Sequence, residues 1–172
     1  VSDRQQHRNP EYGIDYGNMR IHDISADVHS FHLQGTVVEG SVSNMVGREQ
    51  SGFEIKSMDG DFHIDRGVVD LKNMHVQTER SNLYVERLLL KDSDWPRYKD
   101  FIHNVPMLGV IRNSSVVTDD VAYFAPKMRQ WNNELLDADI DFSGLVVDLT
   151  VNVHRARFGE RSSFSGDVNL IG

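Results

Sequence analysis

Between residues 52 and 78 the chain reads GFEIKSMDGDFHIDRGVVDLKNMHVQT, and apolar side chains return at every second position: Phe53 and Ile55, Phe62 and Ile64, Val69 and Leu71, Met74 and Val76. Glu54, Lys56, His63, Asp70, Lys72 and His75 stand between them. Successive side chains of a strand point to opposite faces, so such a segment has one apolar face and one wet face. The pattern extends both ways. Ile24, Ala26 and Val28 keep one register before Phe31, Leu33 and Val37, and the last third returns to it with Ala138, Ile140 and Phe142, then Val147, Leu149, Val151 and Val153, then Phe164, Val168 and Leu170. What covers these apolar faces is the question that governs both fold and function.

The alternation slips where Val28 and Phe31 stand three apart, and again from Ile55 to Met58, Leu71 to Met74, Thr78 to Ser81 and Val85 to Leu88. One extra residue turns the next side chain to the other face unless a bulge or bend absorbs it. The sequence therefore predicts long strands that bend or bulge, with Arg66-Gly67 as a hairpin turn. Two stretches break the strand period. In SDWPRYKDFIHNVP, Asp94 is a candidate cap, Pro96 suits a first turn, and Trp95, Tyr98, Phe101, Ile102 and Val105 recur at helical spacing. In TDDVAYFAPKMRQW, Thr118 or Asp119 caps a short helix carrying Val121, Phe124 and Ala125, which Pro126 should end. Two short helices cannot cover so much sheet. A loose repeat, with V-x-D-L after glycine in both 51–71 and 142–149, points to stacked strand units.

Length and composition bound the rest. A chain of 172 residues suits one domain. The polar start, 1–18, with Pro10, Gly13 and Gly17, is expected to be a linker or frayed segment, leaving 19–172 as the domain. That start lacks both an initiator Met and the apolar core of a signal peptide, so the chain is read as a piece of a longer protein. A net charge of −8 leaves no basic field to hold a phosphate backbone, and nucleic acid is not an expected partner. The absence of cysteine removes thiol catalysis, Cys-based zinc sites and disulfides together. No run approaches the roughly 18–20 apolar residues of a membrane-spanning helix.

Few side chains suggest chemistry. Asp137, Asp139 and Asp141 alternate along one strand and could face a hard cation, but carboxylates in alternation are also the ordinary dress of a half-exposed strand, with Ala138, Ile140 and Phe142 on the other side. The segment DGDFHID lacks the complete D-x-D-x-D-G loop of an EF-hand. Among eight histidines, His29 and His32 would point to opposite faces unless a bulge intervenes, and His63, His75 and His154 sit in the polar phase. Neither H-E-x-x-H, G-x-S-x-G nor a Walker loop occurs, so no metal, cofactor or catalytic residue is expected and the chain is not read as an enzyme. Trp95, Tyr98, Phe101, Tyr123 and Trp131 are expected to pack the two helices on the sheet.

Three segments together carry a family likeness. They are SGFEIKSMDGDFHIDRGVVDLKNMHVQTERSNL at 51–83, VAYFAPKM at 121–128 with Met128 in the Leu place of a short F-x-P-x-L helix, and FSGLVVDL at 142–149 followed by FGERSSFSGDVNLIG at 158–172. In order and spacing this set resembles the AsmA-like family and, within it, the TamB-like proteins of the diderm envelope. The resemblance implies a mainly β fold, in which bent and bulged antiparallel strands form a taco-like sheet or groove in the periplasm, the parent protein being anchored in the inner membrane. It implies carriage of phospholipid between inner and outer membrane, or help to an outer-membrane partner of the Omp85 class in inserting β-barrels. The helix at 95–105 departs from a bare groove.

On this reading Phe53, Ile55, Phe62, Ile64, Val69, Leu71, Val76, Ile140, Phe142, Leu149 and Val151 share one apolar face that meets phospholipid acyl chains. Burying each methylene there is worth about 0.8 kcal/mol, so a continuous apolar strip holds an acyl chain without a specific polar site. The alternative is a structural or protein-interaction β domain with a closed hydrophobic core.

Overall fold

A computed structural model of the chain describes residues 13–14, 19–91, 95–124, 126–131, 133–159 and 162–171. It is mainly β. Nine strands follow one another as β1 (Ile21–Gln34), β2 (Val37–Glu49), β3 (Glu54–Asp65), β4 (Val68–Gln77), β5 (Asn82–Lys91), β6 (Met107–Val117), β7 (Leu135–Leu145), β8 (Asp148–Phe158) and β9 (Ser162–Ile171). Each pairs antiparallel with its neighbours in sequence, giving one sheet in the order β1 to β9. The sheet is open and uncurled, with β1 and β9 as its edges, and among the described residues the extensive strand–strand contacts are all between sequence neighbours. The expected linker over 1–18 lies outside the described residues except for Gly13 and Ile14, whose N–H donates to Tyr123 O at 2.8 Å.

The hairpins follow from local chemistry. Arg66 and Gly67 both take positive φ, 38° and 82°, the geometry of a two-residue turn whose twist matches the strands it joins. The slips are bulges in four of the five places. Ser30 (φ 50°) absorbs that between Val28 and Phe31, and Asn73 (φ 52°) that between Leu71 and Met74. The shifts after Ile55 and after Val85 are register breaks against β2 and β6. The fifth, Thr78 to Ser81, is the β4–β5 hairpin itself, closed by the Thr78 N–H on Ser81 O at 3.1 Å.

A regularity of bulges runs across the sheet. Asn44 in β2, Asn73 in β4 and Asn113 in β6 all take left-handed φ, at 53°, 52° and 48°. Each is bound by an aspartate on an adjoining strand: Asn44 N–H to Asp59 at 2.8 Å, Asn73 Nδ2 to Asp61 at 2.8 Å, and Asn113 N–H to Asp139 at 2.5 Å. Asparagine tolerates this conformation better than most residues, and at Asn44 and Asn113 the neighbouring carboxylate satisfies the backbone N–H that the bulge withdraws from the ladder, while at Asn73 it takes the side-chain amide.

The two helical segments stand at opposite ends of the sheet. One 3₁₀ turn (Trp95–Asp100) and α1 (Phe101–Asn104) join β5 to β6, and Val105 just after them is fully buried. The candidate cap Asp94 and the side chains of Trp95 and Tyr98 lie outside the described residues. At the other end α2 (Thr118–Val121) stops before Pro126, as expected, but a second 3₁₀ turn, Pro126–Trp131, follows it. Proline fixes φ near helical values and lacks an N–H to satisfy, so it opens this turn as readily as it ends α2.

Burial is sparse. Among the described residues the buried apolar side chains are Val85, Val105, Val117, Ala122, Ala138 and Val151, while every residue of β1 is exposed. The accessible surface is 11550 Å², against about 8,600 Å² for a compact protein of this mass. One sheet with one largely uncovered side contributes to the excess.

Candidate functional site

Cross-strand partners share a face, so the registers trace which side chains lie together. One unbroken row runs Gly40, Phe62, Leu71, Leu88, Gly109, Phe142, Val151 and Val168 from β2 to β9. A parallel row holds Val38, Ile64, Val69, Leu90, Met107, Gly144 and Leu149. A third runs Met74, Val85, Ile111, Ile140 and Val153. Thus Phe62, Ile64, Val69, Leu71, Ile140, Phe142, Leu149 and Val151 lie on one side. Val76 faces Met58, and Ile55 faces Gly47. Phe53 lies just before β3, where its ring stands 5.0 Å edge-on to Phe124 and 5.4 Å from Tyr123.

Three apolar hollows open along this side. The first, among β1 to β4, is walled by Val28, Val42, Met45, Met58, Phe62 and Leu71. The second, of about 290 Å³, lies under α2 between Phe53, Val76, Leu83, Ile111, Val116 and Ile140. The third, about 640 Å³, lies over β7 to β9, with Trp131 and Met128 above Val151, Val153, Phe158 and Phe164. Leu136, Ala138 and Ile140 line both the second and the third, so these two share a wall. At the β1 edge Ile24, Val28, Phe31 and Leu33 are more than half exposed.

Glycine thins the row at one point. A Cβ at Gly109 would fall 2.0 Å from Cζ of Phe142, so the Phe142 ring lies over the bare backbone of its cross-strand partner.

The opposite side is polar. Asp70 is bidentate with Arg87, at 2.8 and 3.0 Å, and reaches Lys72 at 3.4 Å. The Arg87 hydrogen bonds, against the opposing effect of desolvation, hold the Asp70 carboxyl below its usual range. Asp137, Asp139 and Asp141 each meet a separate cation: Arg157 at 3.0 Å, Arg155 at 2.8 Å and Arg112 at 2.6 Å, with His154 a further 2.7 Å partner of Asp141. Their carboxyls also titrate low, chiefly through the Ser115 hydroxyl, the Asn113 N–H and the His154 ring respectively. Alternation along β7 therefore reflects cross-strand charge pairing with β6 and β8.

His29, His32, His63, His75 and His154 are dispersed on this side. Ser30 supplies the bulge that brings His29 and His32 to the same face, where His29 meets Ser43 at 2.8 Å and His32 faces Glu39. His63 bonds Glu39 at 3.0 Å, and His75 stacks on Tyr84 with ring centroids 4.1 Å apart. Among the described residues no three His, Asp or Glu side chains converge as metal ligands would.

Sequence periodicity missed Leu83, Leu88, Ile111, Val116 and Leu136, which complete the apolar rows and the hollow beneath α2. The recurring S-N-M, K-N-M and R-N-S triplets at 43–45, 72–74 and 112–114 were the available signal, because they mark the bulges that fix the phase of β2, β4 and β6. Comparison of the chain with protein-family models, curated proteins and solved structures found no match.

Proposed function

We propose that this chain is a non-catalytic segment of a TamB- or AsmA-like envelope protein whose apolar sheet face contacts phospholipid acyl chains in the periplasm. It would serve phospholipid passage between the membranes, or outer-membrane protein assembly with an Omp85-class partner. One observation carries the reading: three adjoining rows of apolar side chains cross the sheet, and most of them stay half-exposed. At about 4.8 Å between strands, the seven gaps from β2 to β9 give a strip about 34 Å long. Monomeric proteins seldom leave contiguous apolar area on this scale without a ligand or partner for it. A single sheet also lacks, among the described residues, the opposing sheet that a closed-core sandwich needs.

The test places a charge in the strip. Ile64→Glu and Leu71→Lys are compared with the unaltered chain for phospholipid retention after incubation with vesicles, by native mass spectrometry, and for thermal melting. We expect the unaltered chain to carry phospholipid and both variants to melt normally but lose it, since an ionised group interrupts the apolar path and is costly to desolvate. Folded variants that keep their lipid, or an unaltered chain that takes up none, would refute the reading. Outright unfolding of both variants would favour the closed-core structural domain.

A further inference from the structure

The hollow under α2 differs from the open face beside it in having a lid. Asp119 and Asp120 of α2 reach back to the β4–β5 hairpin: Thr78 Oγ1 donates to Asp120 Oδ2 at 2.6 Å, Ser81 Oγ donates to the same oxygen, and Arg80 pairs with Asp119 at 3.2 Å. Ser81 Oγ in turn accepts the Val117 N–H at 3.0 Å, so the lid is tied to both the β4–β5 hairpin and the end of β6. Ser114, the remaining hydroxyl in the wall, is held by Tyr84 at 2.8 Å. Every polar side chain lining this space, namely Thr78, Ser81, Ser114 and Asp120, thus has a partner within the protein.

We propose that this hollow binds the methyl end of one unbranched aliphatic chain, which enters from the hollow over β7 to β9. Four features select that ligand. An apolar cavity of about 150 Å³ stays dry and takes benzene, and this one is about 290 Å³. Its polar groups are already satisfied, so a ligand group needing hydrogen bonds gains nothing there. The Asp120 carboxylate in its wall repels a carboxylate or phosphate head, which sets the orientation with the methyl end inward. The wall of Leu136, Ala138 and Ile140 shared with the next hollow makes the accessible space long, which suits an extended chain and not a compact ring system.

This inference rests on the acyl-contact reading of the face, and its test separates the two. The full chain, with valine and leucine methyls isotopically labelled, is titrated with stearate carrying a nitroxide near its methyl end, and separately with stearate labelled near its carboxylate. We expect the methyl-end label to broaden the resonances of Val76, Leu83, Val116 and Val121, and the carboxylate-end label to leave them sharp. Broadening of those four by both labels alike, or by the carboxylate-end label alone, would overturn the orientation and the proposal with it. Broadening confined to residues such as Leu71 and Leu149 would overturn the proposal while leaving the wider acyl-binding face standing, and no broadening anywhere would overturn both. In Ala138→Leu the added side chain fills the shared wall, and the effect at Val76 and Val121 should fall at least fivefold; a folded variant that keeps it would also refute the site. If that variant does not fold, the two labels on the unaltered chain decide alone.

Discussion

Replacing Gly109 by alanine tests the packing at the centre of the apolar strip. The new Cβ would lie 2.0 and 2.1 Å from two ring carbons of Phe142, where carbons ordinarily rest about 3.5–4.0 Å apart. The ring must therefore shift by more than an ångström within a row whose neighbours, Leu88 and Val151, flank it. Overpacking of this kind costs about 1–3 kcal/mol. Against it stands the gain from removing a glycine from a strand, about 0.5–1 kcal/mol. Gly109 has no left-handed φ, so backbone strain adds nothing. The net expectation is a loss of about 1–2 kcal/mol, or roughly 3–6 °C in melting temperature for a chain of this size. Phe142→Leu removes the ring that clashes, so Gly109→Ala should cost less in that background. Urea unfolding of the four members of this cycle, followed by circular dichroism, should give a coupling near ~1 kcal/mol. Additivity to within about 0.3–0.5 kcal/mol would refute the claim that Phe142 covers Gly109.

Asn73→Gly should leave stability nearly unchanged while Asn73→Val costs about 1–2 kcal/mol, because φ of 52° is open to glycine and closed to a β-branched residue; equal losses in thermal melts would count against the bulge as the constraint. Asp70→Asn should weaken the fold by about 1–2 kcal/mol at neutral pH, an estimate reduced because the Arg87 end of the pair is in water. The folded carboxyl titrates below its unfolded value, so its contribution is present above the unfolded value of about 4 and is lost as pH falls through the lower, folded value. The gap between the variant and the unaltered chain should accordingly narrow as pH falls below about 4, and a gap that does not shrink at all between pH 7 and pH 2 would contradict the pairing. Asp120→Ala removes the acceptor of two hydroxyls and should lower stability by about 1–3 kcal/mol, with faster hydrogen exchange at Val117 and Ala122 as its local mark.

Alternation in the sequence identified the strands and the Arg66-Gly67 turn because both are local properties. Slips at Val28, Leu71 and Val85 correctly marked bulges, whereas the same spacing at Thr78 to Ser81 is a hairpin; three residues between apolar positions fit either, and only pairing partners distinguish them. Periodicity also says which side chains share a face without saying what lies opposite. That is why the hollow that α2 makes with β4 to β7 was not legible. The polar side was obscured for a related reason: Asp137 and Asp139 gain their meaning from Arg157 and Arg155, which arrive through register and not through sequence spacing. His29 and His32 depended on a bulge at Ser30, whose left-handed φ no residue preference announces.

Since each strand pairs only with its sequence neighbours, the sheet is a one-dimensional chain of hairpins, with consequences for how it assembles and comes apart. The two longest connections, residues 92–106 and 118–134, carry the helical segments and the remaining connections are at most four residues, so pairing can start at one tight hairpin and spread outward strand by strand. The buried side chains Val85, Val117 and Ala138, and the clasp of α2 on β4–β5, make β5 to β7 the most firmly held part of the sheet. In a linear array, loss of an outer strand breaks one interface and leaves the rest intact. Protection of backbone amides from exchange should therefore form a gradient, greatest in β5 to β7 and least along β1, whose fourteen exposed residues give it the weakest hold on the sheet.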